Sequence, residues 1–177
     1  MSVIPYLPPD IAEPRALVDA IRARRGGALL NLDRMLLHSP SLAAGWNVFL
    51  RAVRTELDVP PKLCELAICS VAVLNRADYE FVQHAPVFIK AGGRPEQRDA
   101  LRFVGTDAFD AAMFTAQERA VIALTIEMTR NIEVSAATSD AARRELANDR
   151  HLVEIVGVVA AYNMVSRFLV ALCVELE

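Results

Sequence analysis

Glu65, Tyr79, Glu80 and His84 have the side-chain types that proton-transfer chemistry uses, and they occur within one short stretch. Glu80 and His84 stand at i and i+4, so on a helix they share a face and lie within contact distance. A carboxylate beside an imidazole orients the ring and fixes its tautomer, as at many histidine bases. The same spacing is also compatible with a surface pair worth about 0.2–0.5 kcal/mol.

Glu65 stands at the entrance of an apolar segment. Residues 66–74 carry no charge, which predicts a helix that is buried on every side. A carboxylate at the edge of such a dry region is costly unless it is paired or protonated, a setting that suits a general acid or base. The alternative is a first-turn glutamate that faces water and interacts favourably with the helix dipole.

Two consecutive helices are expected to position these residues. The pattern predicts a helix over residues 62–74, a brief interruption at Asn75-Arg76, and a helix over residues 78–91 that ends at Gly92-Gly93. In an antiparallel hairpin the start of the first helix meets the end of the second. Glu65 is therefore expected to approach His84.

Helical periodicity dominates the remainder of the 177 residues, and strand alternation is almost absent. The sequence therefore predicts an all-α fold and a single domain over residues 1–177. Its core motif region is predicted at about 40–95 and its second helical unit at about 115–177, where Thr115 and Glu118 have capping-box spacing. The tetrads at 63–66 and 152–155 resemble each other, as expected from either an internal helical repeat or chance.

Composition excludes several classes of protein. The 19 basic and 22 acidic residues give a net charge of −3, which argues against strong attraction to nucleic acid or anionic lipid. Three cysteines are too few for a disulfide framework and predict buried, reduced thiols in a cytoplasmic protein. The N-terminus lacks the basic region of a signal peptide, and the longest uncharged run, residues 35–50, is too short to span a membrane.

No cofactor or metal is predicted. The three histidines, His38, His84 and His151, are far apart, and none has the His-x-x-x-His or Glu-x-x-His spacing of a metal site. A metal bound by Glu65, Glu80 and His84 is conceivable. The basic cluster at residues 22–25 is interpreted as a solvated helix end.

The order of Glu65, an apolar helix, Tyr79-Glu80-Phe81-x-x-His84 and a glycine-ended helix resembles the carboxymuconolactone decarboxylase family, which includes the alkylhydroperoxidase D proteins. The resemblance extends over most of the chain. Further matching positions are Pro40, Leu42, Trp46, Thr115, Glu118, Tyr162, Asn163, Met164 and Arg167.

The resemblance implies an alkylhydroperoxidase D-like helical fold and cofactor-free decarboxylation of a lactone or other small cyclic carboxylic acid. It implies His84 as general acid/base, Glu80 as the group that orients it, Glu65 as a second proton carrier and Tyr79 as a hydrogen-bond donor. The expected assembly is a homo-oligomer: a dimer, trimer or hexamer. The residues expected to line the pocket or an adjoining subunit are Tyr162, Asn163 and Arg167.

The peroxidase branch of this family has cysteines at +12 and +15 from the glutamate, and these positions are Ala77 and Glu80 here. The resemblance is therefore to the Cys-less branch, with Phe81 in place of its Trp. Cys64 and Cys69 lie in apolar or anionic surroundings, which raise the pKa of a thiol and disfavour a peroxidase. A thiol-dependent peroxidase and a non-catalytic oligomeric binding module remain the alternatives.

Overall fold

A computed structural model describes residues 1–177. The chain forms nine α-helices and a short 3-10 helix, with no β-strand, and this confirms the all-α prediction. The α-helices are α1 (Arg15–Arg25), α2 (Asn31–Leu36), α3 (Pro40–Thr55), α4 (Pro61–Leu74), α5 (Asp78–Lys90), α6 (Pro95–Leu101), α7 (Ala116–Asn131), α8 (Ala136–Glu145) and α9 (Asp149–Ala171), and the 3-10 helix is Ala111–Met113.

The chain divides into two compact units. One unit consists of Met1–Glu56 together with Leu169–Glu177, and the other is Leu57–Phe168. All seven candidate site residues belong to the second unit.

In the first unit, the basic cluster at the end of α1 is not a solvated helix end. Asp33 is 2% exposed, and it accepts hydrogen bonds from Arg25 Nε at 3.0 Å and from Arg24 Nη2 at 3.4 Å. Burial, together with the charge of Arg25, lowers the pKa of Arg24 to about 10. The interpretation of this cluster as a solvated helix end was wrong, because the Asp33 carboxylate of α2 binds the guanidinium groups of Arg24 and Arg25.

In the second unit, α4 and α5 pack as a hairpin. Pro61 begins α4 at the first helical turn, where a missing N–H costs nothing. Arg76 adopts φ +55°, and Ala77 N donates to Ala72 O at 2.8 Å, so the chain reverses immediately after α4. The predicted burial of α4 is confirmed for residues 66–72, whereas Val73 and Leu74 are half-buried.

Side-chain hydrogen bonds to backbone N–H groups fix the starts of α7 and α8. The capping box of α7 is confirmed: the Thr115 side chain accepts from Glu118 N, and the Glu118 side chain accepts from Thr115 N. Ser135 is the N-cap of α8, and its side chain accepts a hydrogen bond from Thr138 N.

The longest helix, α9, passes a length-and-composition test for crossing a membrane. Core helices of soluble proteins pass the same test, and 44% of its most apolar window is buried inside the protein. The residues at 155, 158, 159 and 162 of α9 have no exposed surface. α9 is therefore a helix that packs in the core of the second unit.

The two glutamates of the tetrads at 63–66 and 152–155 have different partners. Glu65 binds a histidine, as described below. Glu154 accepts the backbone N–H groups of Asp58 and Val59 at 2.9 and 2.8 Å, and it pairs with Arg150. Glu154 therefore fixes the chain that leads into α4. Whether the tetrads reflect an internal repeat stays a prediction.

Candidate active site

The candidate active site is built around a carboxylate–imidazole pair that joins α4 to α5. Oε2 of Glu65 lies 2.8 Å from Nδ1 of His84. The two side chains are 12% and 13% exposed, so both are held in a largely dehydrated setting. At this low exposure a charge-assisted hydrogen bond is stronger than at the surface. The expected approach of Glu65 to His84 is thus what the structure shows.

The ring of Tyr162 packs edge-on against the imidazole of His84. The ring centroids are 4.9 Å apart and the planes meet at 88°. Tyr162 has no exposed surface, so its ring is held in place by the core and limits the movement of the imidazole. Two helices other than its own therefore fix His84: α4 through a hydrogen bond and α9 through an aromatic contact.

Glu80 binds α9. Its Oε2 accepts a hydrogen bond from Ser166 Oγ at 2.8 Å, and Ser166 Oγ also lies 2.8 Å from the backbone oxygen of Tyr162. Glu80 is 2% exposed. The orientation of His84 by Glu80 stays a prediction, and the structure adds the carboxylate of Glu65 on Nδ1. The hairpin brings this carboxylate to the ring.

Tyr79 is buried, with 6% of its surface exposed. It stands five positions before His84, so the two side chains leave α5 about 140° apart around the helix axis. Helix geometry thus gives no support to Tyr79 as a donor at the Glu65–His84 pair.

Asn163 organises a hydrogen-bond network on α9. Its Nδ2 donates to Thr129 Oγ1 and to Val159 O, both at 3.0 Å. Its Oδ1 accepts from Asn75 Nδ2 at 3.0 Å and from Arg167 Nη1 at 2.6 Å. Of the three residues predicted to line the pocket, Tyr162 contacts His84. Asn163 ties α9 to α7 and to the end of α4, and Arg167 binds Asn163 within α9.

The two buried thiols are poor nucleophiles. Burial and the charges of Glu65 and Glu154 raise the pKa of Cys64 to about 12. Cys69 is fully buried, and burial with the charges of Glu65 and Glu80 raises its pKa further. The predicted effect of apolar and anionic surroundings on these thiols is confirmed. Cys173 is exposed and belongs to the first unit, so the prediction of buried thiols was wrong for this residue, which lies beyond the end of α9.

Ser166 is the site residue that sequence reasoning missed. It lies in a long apolar run of α9, one helical turn after Tyr162, and is fully buried. A lone serine at a core position of a helix is the available signal, because a buried hydroxyl needs a partner. The conceivable metal site is not assembled: no group of three or more His, Cys, Asp or Glu side chains is placed to hold a metal ion.

Comparison with solved structures places this fold among known ones. The chain is similar to an uncharacterized peroxidase-related protein from Silicibacter sp. TM1040, with 19% identity and a TM-score of 0.80, over 99% of this chain and 90% of that one. It is similar to a protein with an alkylhydroperoxidase AhpD core from Ralstonia eutropha JMP134, with 17% identity and a TM-score of 0.82, over 99% and 92% of the two chains.

A third similar structure is that of the debrominase Bmp8, in a variant bound to 2,3,4-tribromopyrrole, with 16% identity and a TM-score of 0.80 over 100% of this chain and 94% of that one. No protein-family model matches the sequence, and no curated protein matches it. At these identities the likeness shows the fold alone. The chain has the fold of the alkylhydroperoxidase AhpD core, and the decarboxylase family stays a prediction.

Proposed function

We propose that this protein is an enzyme that decarboxylates a small cyclic carboxylic acid or lactone by proton transfer, without a cofactor. The observation that carries the proposal is the 2.8 Å contact between Glu65 Oε2 and His84 Nδ1 in a setting where both side chains are about nine-tenths buried. A carboxylate on one ring nitrogen favours the tautomer with its proton there and assigns proton exchange to the other nitrogen.

The reaction uses His84 as the acid. The bond between the ring carbon and the carboxylate breaks, CO₂ leaves, and the electron pair is delocalised into a neighbouring carbonyl of the substrate. Imidazolium Nε2 then delivers a proton to that carbon, and the neutral imidazole regains a proton from water. The charge of Glu65 stabilises the imidazolium form. A positioned acid or base of this kind contributes about 10²- to 10⁴-fold in rate.

Other observations support this class of reaction. Glu80 stands at the position of one cysteine of the peroxidase branch, and the thiols nearest the pair have a raised pKa. A thiolate mechanism is therefore disfavoured. The debrominase with a similar structure is bound to 2,3,4-tribromopyrrole, a small ring compound, which agrees with a small ring as the substrate class.

We propose that the protein is a cytoplasmic homo-oligomer. It binds a small molecule and binds neither nucleic acid nor membrane. The net charge of −3 supports the lack of affinity for polyanions. Val153 and Met164 of α9 are 70% and 40% exposed, and apolar side chains that reach the surface of a packing helix are suited to a contact between copies.

The test is CO₂ release from a panel of cyclic carboxylic acids and lactone acids. The wild type is compared with His84→Gln, with the matched control His38→Gln, and with a triple variant in which Cys64, Cys69 and Cys173 are serine. His38 is exposed and its Nε2 meets Pro5 O, so this control removes an imidazole outside the second unit.

We expect turnover in the wild type, the His38 variant and the triple cysteine variant, and loss of at least about 10²-fold in the His84 variant. Unchanged turnover in His84→Gln would refute the role of His84. No CO₂ release from any compound, together with hydroperoxide consumption that the triple cysteine variant loses, would replace the proposal with a thiol peroxidase. Neither activity in a folded protein would favour the binding module.

A further inference from the structure

A surface groove of about 630 Å³ lies between α5 and α6, and His84 is not among its lining residues. Its α5 wall is apolar and includes Val82, Pro86 and Ile89. The opposite wall, called the α6 wall, carries Arg98 and Asp99 of α6 and Arg102, which directly follows α6. This volume falls in the range of about 300–1,000 Å³ that small-molecule sites occupy. An apolar wall that faces a few charged groups is the usual composition of such sites.

The charges on the α6 wall are not balanced. Arg98 Nε and Nη2 both lie 2.8 Å from Asp99 Oδ1, so this arginine and this aspartate neutralise each other. The side chain of Arg102 makes no hydrogen bond and no ion pair within the chain, while its backbone N–H donates to Asp99 O at 3.2 Å and its charge acts on the Asp99 carboxylate. Among the lining side chains two arginines accompany one aspartate, so the wall has one net positive charge, and Arg102 is the arginine whose side chain has no hydrogen-bonded partner.

Arg102 is oriented by its stacking on an aromatic ring. Its guanidinium carbon lies 4.5 Å from the centroid of Phe81, and Phe81 is 3% exposed and thus fixed in the core. Stacking uses the face of the guanidinium and leaves the N–H donors in its plane. These donors are the ones that bind a carboxylate in a bidentate manner.

The geometry points to a second binding site, a groove that takes a small organic carboxylate with an aromatic or alicyclic body. The carboxylate accepts hydrogen bonds from the in-plane N–H groups of Arg102, and the body covers Val82, Pro86 and Ile89. This site is separate from that of the proposed reaction, because neither Glu65 nor His84 lines the groove. Since the groove is open, we expect dissociation constants of about millimolar for small probes.

The test is a titration of the whole protein with benzoate, followed by NMR of the arginine Nε–H groups and of the Val82 and Ile89 methyl groups. Cyclohexanecarboxylate and the uncharged benzamide are the comparison probes. The variants are Arg102→Gln, Asp99→Asn, His84→Gln and, as matched control, Arg144→Gln, which changes an exposed arginine of α8.

We expect saturable shifts with both carboxylates at the groove residues, and binding about tenfold weaker in Arg102→Gln and with benzamide. Asp99→Asn releases Arg98 from its partner and should tighten benzoate binding several-fold. Arg144→Gln and His84→Gln should bind benzoate as the wild type does, so failure of the proposed reaction leaves this result intact.

Three results would overturn the site. One is benzoate affinity unaltered in Arg102→Gln, and another is the absence of saturable shifts in the groove well above millimolar concentration. The third is a set of groove shifts that follow protein concentration in place of benzoate concentration. That outcome would assign the groove to a contact between two copies of the chain.

Discussion

Oε2 of Glu65 and Nδ1 of His84 are 2.8 Å apart although the residues are separated by 19 positions. The nearer carboxylate in sequence, that of Glu80, accepts from Ser166 on α9. Two acids of the candidate site thus have different tasks: Glu65 faces the imidazole and Glu80 anchors α5 to α9. The first two predictions follow from these different partners of Glu65 and Glu80.

Glu65→Gln should lower kcat about 10²-fold or more and change KM little, because the amide no longer stabilises the imidazolium that forms during turnover. The measurement is steady-state kinetics on the substrate that the CO₂ assay identifies. Glu133→Gln is the control, since Glu133 is exposed and has no side-chain partner in the chain. Equal kcat in wild type and Glu65→Gln would show that the pair is structural.

Ser166→Ala should lower the free energy of unfolding by about 1–3 kcal/mol, because the buried Glu80 carboxylate loses a hydrogen-bond donor. The measurement is urea denaturation at neutral pH. Ser139→Ala on the exposed surface of α8 should change stability by less than about 0.5 kcal/mol. Equal effects of the two substitutions would contradict the importance of the Ser166–Glu80 bond.

Only one thiol should react rapidly with a disulfide reagent in the native protein at neutral pH. Cys173 is exposed, whereas Cys64 and Cys69 are buried. Because thiolate is the reactive form and the pKa of Cys64 is about 12, its labelling should stay slow until the pH approaches that value. Cys173→Ser should abolish the rapid phase, and unfolded protein should expose all three thiols. A second rapid native thiol would reopen the peroxidase alternative.

Glu118 should stabilise the fold at neutral pH and lose that effect in acid. Burial by itself would raise its pKa, but hydrogen bonds from Lys62, the Thr115 N–H and Gln97 outweigh burial and lower the pKa. A lowered pKa in the folded state gives stability that is complete above the unfolded-state value and is lost as the pH falls through the folded-state value.

Glu118→Gln should therefore cost about 2–4 kcal/mol at pH 7, since the residue is 3% exposed and pairs with Lys62. The difference from wild type should shrink as the pH is lowered past the pKa of the folded protein. Urea denaturation over a pH series measures it, with Glu133→Gln as the exposed control. A difference that is independent of pH would mean that packing, and not charge, explains the effect.

Short-range patterns account for what sequence reasoning predicted well. The uncharged run at 66–74 implied burial of α4, and Thr115 with Glu118 implied the start of α7, because both depend on residues within a few turns. The approach of Glu65 to His84 also followed, since a short connection after α4 leaves antiparallel packing as the simple arrangement.

Contacts over long distances in the sequence were not predictable in the same way. Ser166 reaches Glu80 across 86 positions, and Asn75 reaches Asn163 across 88. Taken alone, each of these four residues is an ordinary polar residue in a helix or at its end. Only the packing of α9 against the hairpin selects their partners.

The amino-acid sequence by itself determined the helices, the hairpin and the burial of the two thiols of α4, because periodicity and charge act locally. The tertiary structure decided which carboxylate lies at Nδ1 of the imidazole, which aromatic ring packs against it and which arginine side chain of the groove has no hydrogen-bonded partner. Those choices depend on how helices distant in sequence are rotated against one another, and that rotation is set by the whole core.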